Sequence, residues 1–96
     1  MEYTLVTTPS GRKTFAKLER EVKDFLLSEL QVLKRNPQAG EQLKGQWRKY
    51  RCFHAKLKNV EYRVVYRIIE SQQEILVYLA ANRENFYKKL SHLGLK

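Results

Sequence analysis

The stretch from Tyr50 to Tyr87 constrains the fold more than any other part of the chain. It contains three short runs rich in valine, isoleucine, tyrosine and phenylalanine, separated by polar breaks at Lys58–Glu61 and Glu70–Glu74. Runs of this composition are typical of β-strands, and breaks this short join neighbouring strands as hairpins. The stretch therefore predicts an antiparallel meander of three strands.

The alternation within these runs assigns side chains to the two faces of the sheet, because successive residues of a strand point in opposite directions. One face is mostly apolar, and the reverse face gathers cations and an imidazole, which makes it a candidate site for phosphate chemistry. The apolar face carries Arg51, Phe53, Ala55 and Leu57 from the first strand and Tyr62, Val64, Tyr66 and Ile68 from the second, and the reverse face carries Cys52, His54, Lys56, Arg63, Val65, Arg67 and Ile69.

Length and charge limit the class of protein. A chain of 96 residues predicts one domain, residues 1–96, with a small core. Its net charge of +9 predicts an anionic partner, which could be nucleic acid, an acidic protein or a membrane surface. The alternative is a solvated basic surface without a partner. The apolar runs are too short to span a bilayer, and residues 1–20 contain no apolar core of signal-peptide length.

Cysteine and histidine content argue against several kinds of site. The single Cys52 excludes an internal disulfide, fits a reducing cytoplasm and is expected to be a small packed residue. Two histidines far apart in sequence rarely make a metal site with one cysteine, so we expect no metal. The sequence also contains no Gly-rich phosphate loop, CxxC, HxxxH or GxSxG motif.

The segment before the meander predicts a strand followed by helices. Glu2–Thr7 is β-prone and ends at Pro9, after which Thr8 or Ser10 would cap a helix. Between residues 12 and 36 apolar residues recur three and four apart, as on one helical face. A single helix of that length would run about 37 Å, which is long for a domain whose expected radius of gyration is about 13 Å. We therefore expect a helical hairpin with its break at Glu19–Glu21.

The remaining segments complete the predicted order of elements. Asn36 and Pro37 end the second helix, and Gln38–Gln46 is a loop leading into the sheet. After the meander, the pair Ala81-Asn82 caps a final helix from Arg83 to about Leu93, with Gly94 marking its end. The order β-α-α-β-β-β-α predicts an α+β fold, in which an antiparallel sheet packs on a helical hairpin and carries a C-terminal helix.

Each candidate residue also has a structural interpretation. A histidine in a strand is often a surface or satisfied core residue, but Lys56 lies two residues after His54 on the same face. Strand arginines can pair with carboxylates such as Glu61; Arg63 is favoured over Arg67 because it is closer to the hairpin. Arg83 and Tyr87 are four apart and so share a helical face, where they could equally pack against the sheet edge.

Four segments taken together resemble the RelE/ParE superfamily of type II toxins. They are Leu43–Gly45, Tyr50–Lys58, the YRVVY run of Tyr62–Tyr66, and Asn82–Glu84 with the following Tyr87. The element order matches too, so the resemblance covers essentially the whole chain. The pattern is closer to RelE-type ribosome-dependent mRNA endonucleases than to ParE-type gyrase poisons, because the former carry basic residues on the sheet and an arginine and a tyrosine near the C-terminal end.

The resemblance assigns roles position by position. Lys56 matches the second lysine of the family's Lys-x-Lys strand, and His54 stands where the first lysine would be. Arg63 and Arg83 match the two arginines, and Tyr87 matches the tyrosine that stacks on a base. These five are the expected catalytic residues. Three further basic residues are expected to bind RNA: Arg51, Lys58 and Arg67.

The chemistry implied by the resemblance is RNA cleavage without a metal or other cofactor. The 2′-hydroxyl attacks the adjacent phosphate, which requires a base, an acid and cations near the developing charge. The family position favours Lys56 as the base, with His54 orienting the reacting groups, and the other option is His54 as the base. The implied partners are an acidic antitoxin and a ribosome carrying mRNA, with no membrane. A gyrase poison and a non-catalytic RNA-binding module are the alternatives.

Overall fold

The computed structural model describes residues 2–92 and shows an α+β architecture, as predicted. The meander and the C-terminal helix are where the sequence predicted them, whereas a third N-terminal helix and a two-residue strand were not predicted. The strands are β1 Thr4–Thr7, β2 Glu41–Gln42, β3 Arg51–Leu57, β4 Val60–Ile69 and β5 Glu74–Asn82, and the α-helices are α1 Pro9–Ala16, α2 Arg20–Glu29, α3 Val32–Arg35 and α4 Arg83–His92.

The sheet is mixed rather than wholly antiparallel. Its five strands lie in the order β1-β5-β4-β3-β2. All neighbouring pairs are antiparallel except the outer pair of β1 and β5, in which Thr4 lies beside Glu74 and Thr7 beside Val77. The partner of β1 was left open by the sequence, and it proves to be the strand furthest along the chain.

The β3–β4 hairpin sets the register on which the candidate site depends. Lys58 and Asn59 form its two-residue loop with φ values of 51° and 67°, and Leu57 pairs with Val60 on either side. Positive φ at both central residues is the mark of a type I′ turn, whose twist matches that of antiparallel strands. The resulting register places His54 opposite Arg63.

Helices cover both faces of the sheet. The apolar face packs beneath α1, α2 and α3, with Leu26, Leu33 and Tyr66 fully buried between them. The reverse face holds a second cluster, in which Phe86 and Leu90 of α4 cover the sheet and are themselves buried. The reverse face, which carries the predicted cations, is therefore open only in part, because α4 occupies the rest of it.

The N-terminal helices break earlier than predicted. The helix α1 ends at Ala16 and α2 begins at Arg20, so the predicted break at Glu19–Glu21 overlaps the real one only at Glu19. The longest dimension of the described molecule is 34 Å, which is shorter than the roughly 37 Å of an unbroken helix over residues 12–36. A second interruption after Glu29 separates off α3, which ends just before Asn36 as predicted.

Side chains at the helix starts fix the entry into α1 and α4. Thr8, one of the two predicted caps, accepts a hydrogen bond from the Gly11 amide at 3.1 Å, and the Asn82 side chain does the same for Asn85 at 3.0 Å. A β-carbon at Gly11 would collide with the carbonyl oxygen of Val77, so glycine allows α1 to lie directly on β5. The predicted helix end at Leu93 and Gly94 lies outside the described residues.

Candidate active site

An open groove of about 400 Å³ runs between the β3–β4 hairpin and the start of α4. Lys56 enters it from β3 and Arg83 from the first position of α4, and both side chains are exposed. Within residues 2–92 neither of them forms an ion pair. The groove is lined by Lys56, Asn59, Val60, Glu61, Asn82, Arg83 and Glu84. It therefore offers two cations to an anionic ligand.

Arg63 is bound to Glu61 of the groove and contacts two aromatic residues of α4. Its Nε donates to Glu61 Oε2 at 2.9 Å, and its Nη1 is 3.5 Å from the Tyr87 hydroxyl. The guanidinium carbon is 5.4 Å from the ring centre of Phe86, within cation–π range. The side chain is only 16% exposed, so Arg63 is largely covered and does not face an open surface.

The pKa of the Arg63 guanidinium reflects two opposing effects. Burial disfavours the charged form, but the hydrogen bonds with Glu61 and Tyr87 outweigh it, and the pKa is raised above its ordinary value. Arg63 is therefore a permanent cation in a fixed orientation. Such a group can stabilise developing negative charge without having to reorganise.

Glu61 is the anionic centre of the site. The hydrogen bond from Arg63 is the main reason that the pKa of Glu61 lies below its ordinary value; the positive charges of Arg63, His54 and Arg83 act in the same direction against partial desolvation. The carboxylate is thus ionised at neutral pH. Sequence reasoning considered Glu61 only as an ion-pair partner, although its position two residues before Arg63 already placed both on one face.

His54 lies between two carboxylates. Its Nε2 is 3.4 Å from Glu41 Oε2, and its Nδ1 is 3.7 Å from Glu61 Oε2. Glu41 comes from β2, where it pairs with Cys52. This contact was not predictable from the sequence, because β2 is only two residues long and has no strand pattern of its own.

Tyr87 presents an aromatic ring beside the site. Its side chain is 63% exposed, and its ring meets that of Phe86 edge-on with centres 5.1 Å apart. Phe86 is buried between α4 and the sheet, so the exposed tyrosine packs against a fixed side chain. Of the five predicted catalytic residues, Lys56 and Arg83 line the groove. His54 and Arg63 lie next to Glu61 of the same groove, and Tyr87 contacts Arg63.

The three basic residues expected to bind RNA do not line the groove. Arg51 donates to the carbonyl oxygens of Gly40 at 2.9 Å and Gln38 at 3.2 Å, so it fastens the loop before β3. Lys58 reaches across to the carboxylate of Glu21 on α2, at 2.9 Å. Arg67 lies further along β4, beside Tyr78. Each of these side chains has a protein partner or lies away from Lys56 and Arg83.

Cys52 provides a test of the packing beneath α4. The side chain is 2% exposed, and burial raises the pKa of its thiol from 9.0 to about 12. We expect no reaction with a thiol-specific reagent at pH 8 in the native protein and rapid reaction in denaturant, because the thiolate is the nucleophile. Absorbance of the released reporter group measures both rates. Fast modification of the native protein would contradict the burial of Cys52.

The same thiol affects stability at high pH. Above pH 9 the cysteine ionises in the unfolded chain but stays protonated in the folded one until about pH 12. The unfolded chain then binds fewer protons, so this group makes the free energy of unfolding fall as the pH rises through that window.

Two structural absences apply to residues 2–92. No helix there is long and apolar enough to cross a membrane. No group of three or more histidine, cysteine, aspartate or glutamate side chains there is arranged to hold a metal ion.

Comparison with known proteins identifies relatives over most of the chain. A family model described as a ParE-like toxin of type II bacterial toxin–antitoxin systems matches residues 5–91, which include every residue of the groove. None of the curated proteins matches the chain by sequence.

Solved structures with the same fold include toxins and toxin–antitoxin complexes. The RelBE2 complex from Mycobacterium tuberculosis matches with a TM-score of 0.75 and 21% identity over 86% of this chain and 100% of the other. A mutant of the E. coli toxin RelE in the free state gives a TM-score of 0.69 and 24% identity over 96% and 98%. The intact E. coli RelBE complex gives 0.66 and 26% over 82% and 94%.

Proposed function

The chain belongs to the ParE-like toxins of type II bacterial toxin–antitoxin systems, and from this premise we propose that it is a ribosome-dependent, metal-free mRNA endonuclease of the RelE type, acting in the cytoplasm. The observation that supports this most is the groove that contains exposed Lys56 and Arg83, together with the fixed guanidinium of Arg63, which is bound to Glu61 of the same groove. A toxin that acted only by binding gyrase would not need this combination of a free amine and two guanidinium groups.

The proposed reaction uses the RNA's own nucleophile. The 2′-oxygen forms a bond to the adjacent phosphorus, and the bond from phosphorus to the 5′-oxygen breaks, leaving a 2′,3′-cyclic phosphate and a 5′-hydroxyl. One protein group takes the proton of the 2′-hydroxyl and another gives a proton to the 5′-oxygen. Arg63 and Arg83 offset the charge that develops on the phosphate oxygens, since guanidinium remains protonated and can contact two oxygens at once.

Lys56 is the proposed base. It is exposed in the groove without an ion-pair partner among residues 2–92, so its amine can approach the 2′-hydroxyl. His54 has a carboxylate oxygen near each ring nitrogen, and only the imidazolium form has a proton to donate to both. Both ring nitrogens therefore face carboxylates, which suits a role in orienting the reacting groups better than that of a base.

Tyr87 is proposed to stack on a base of the mRNA next to the cut. Its ring is largely exposed and lies 5.8 Å from the guanidinium carbon of Arg63, so a stacked base would bring its own phosphate close to that cation. Sequence-specific and site-specific RNA recognition commonly uses bases splayed onto aromatic rings in this way.

An acidic antitoxin is proposed as the second partner. RelBE2 and RelBE are toxin–antitoxin complexes of the same fold, and the net charge of +9 on this chain favours association with an acidic protein. The same charge favours docking on ribosomal RNA.

Incubation of the purified protein with ribosomes programmed with a defined mRNA tests the proposal. We expect cleavage at the codon in the A site and products that end in a 2′,3′-cyclic phosphate. Free mRNA is the matched substrate control. Inhibition of gyrase supercoiling without RNA cleavage would instead establish a gyrase poison, and RNA binding without either effect would establish a non-catalytic module.

The assignment of the base predicts how the two variants differ with pH. In single-turnover cleavage, Lys56→Ala should remove the basic limb of the rate profile, whereas His54→Ala should lower the rate and leave that limb in place. An acid limb that disappears only in His54→Ala would identify the histidine as the base.

A further inference from the structure

We propose that Glu61 is a positioning residue of this site, which fixes the orientation of Arg63 and directs His54 without itself contacting the RNA. This inference deepens the proposed endonuclease function and rests on it.

The contact between Glu61 and Arg63 uses Nε and leaves the two terminal amino groups of the arginine available to a ligand. Glu61 Oε2 accepts from Nε at 2.9 Å, which is the nitrogen nearest to the backbone. The two terminal amino groups remain, and one of them is directed towards the Tyr87 hydroxyl at 3.5 Å. A guanidinium held through Nε can still present a pair of N–H donors to a phosphate, which is how arginine binds that group most strongly.

The same carboxylate oxygen also faces His54. Oε2 of Glu61 is 3.7 Å from Nδ1, on the side of the ring opposite Glu41. One oxygen of Glu61 therefore faces both side chains, so that Glu61 orients the guanidinium directly and, together with Glu41, the imidazole. The other charged groups around Glu61 are Lys56, which lies opposite it in the register of β3 and β4, and Arg83 and Glu84 at the groove.

The fold does not need Glu61 to build the hairpin. The strands are joined by the backbone pairing of β3 with β4 and by the type I′ turn at Lys58 and Asn59. The carboxylate is about one-third exposed. No buried side-chain nitrogen or oxygen atom among residues 2–92 lacks a hydrogen-bond partner. An isolated carboxylate here would repel RNA, and its ion pair with Arg63 offsets that repulsion. The arrangement is explained by what Glu61 does to Arg63.

Two substitutions separate orientation from charge. Glu61→Ala removes the acceptor, and Glu61→Gln keeps an oxygen that can accept from Nε but removes the charge. We expect Glu61→Ala to lower the single-turnover rate on programmed ribosomes by about 10- to 100-fold, by analogy with residues that orient metal-binding side chains through hydrogen bonds. The concentration of ribosomes giving half the maximal rate should change much less. Glu61→Gln should retain most of the wild-type rate.

Glu21→Ala is the matched control, since it also removes a carboxylate paired with a cation, Lys58, but on the α2 side of the hairpin. Its rate should equal that of the wild type. A wild-type or faster rate in Glu61→Ala would overturn the inference, because the carboxylate would then only repel RNA. Equal losses in Glu61→Ala and Glu61→Gln would also overturn it, because the charge rather than the hydrogen bond would matter.

A second measurement on the free protein is independent of any activity. The Nε–H resonance of Arg63, assigned through its loss in Arg63→Lys, should exchange slowly with water in the wild type, Glu61→Gln and Glu21→Ala, and rapidly in Glu61→Ala. If the wild type did not cleave mRNA but this resonance depended on Glu61, the proposed function would fail and the positioning of Arg63 would stand. If the wild type cleaved mRNA and the exchange rate of this resonance were the same in Glu61→Ala, only the positioning role of Glu61 would be overturned.

Discussion

Replacement of Arg63 by alanine is expected to slow single-turnover cleavage on the ribosome by roughly 10²–10³-fold, or about 2.7–4 kcal/mol, by analogy with the loss of one oxyanion-hole donor. The expected loss is large because this guanidinium is already fixed by Glu61, Phe86 and Tyr87 before RNA arrives. Arg63→Lys should recover little of the rate, since an ammonium keeps the charge but lacks the planar pair of donors.

Controls separate this effect from a loss of structure. Arg63 is largely covered, so its variants must be checked by thermal unfolding and by retention of the native circular dichroism spectrum. Arg83→Ala should lose activity to a similar extent with an unchanged melt, because that side chain is exposed. Arg20→Ala, at a highly exposed position paired with Asp24 on α2, should cleave at the wild-type rate. Near-normal cleavage by both Arg63 variants would exclude this guanidinium from the reaction.

Replacement of Tyr66 by alanine is expected to cost stability rather than chemistry, by about 3–5 kcal/mol of unfolding free energy, the range for truncating a buried aromatic ring. The ring is fully buried on the apolar face, as its position in the alternating pattern predicted. Its hydroxyl donates to the carbonyl oxygen of Pro37 at 2.6 Å and accepts from the Gly40 amide at 2.9 Å. Truncation would therefore leave two backbone groups without a partner, in addition to a cavity.

Tyr66→Phe divides these two contributions. It keeps the ring but removes both hydrogen bonds, and we expect a loss of about 1–3 kcal/mol, visible as a decrease in Tm of roughly 4–8 °C per kcal/mol for a domain of this size. Tyr87→Phe is the control for stability, because that hydroxyl belongs to a mostly exposed side chain. A Tyr66→Ala melt equal to that of the wild type would contradict the assignment of Tyr66 to the core.

The parts of the fold that were predictable are those with local, periodic patterns. Alternation along β3 and β4 placed Tyr66 in the core and His54 and Arg63 on the reverse face. The predicted break at Lys58–Glu61 was longer than the real two-residue turn, so the register of the hairpin was not predicted. The caps Thr8 and Asn82 were identifiable, since capping depends on a few neighbouring residues.

The parts that were not predictable depend on contacts between distant segments. The break between α1 and α2 has no glycine or proline to mark it, and β2 is too short to carry a pattern. Glu41 therefore reaches His54 without any signal in the sequence. The shielding of Arg63 by Phe86 depends on where α4 packs, which periodicity alone does not determine.

The parallel pairing of β1 with β5 determines when the sheet can be completed during synthesis of the chain. The first strand has its partner among residues 74–77, and the helix bearing Arg83 and Tyr87 follows that partner directly. Contacts of such wide sequence separation form late and slow folding. While residues after 73 are still inside the ribosome, the nascent chain has neither a completed sheet nor two of its five proposed catalytic groups. The proposed catalytic site is thus completed only after Arg83 and Tyr87 have emerged.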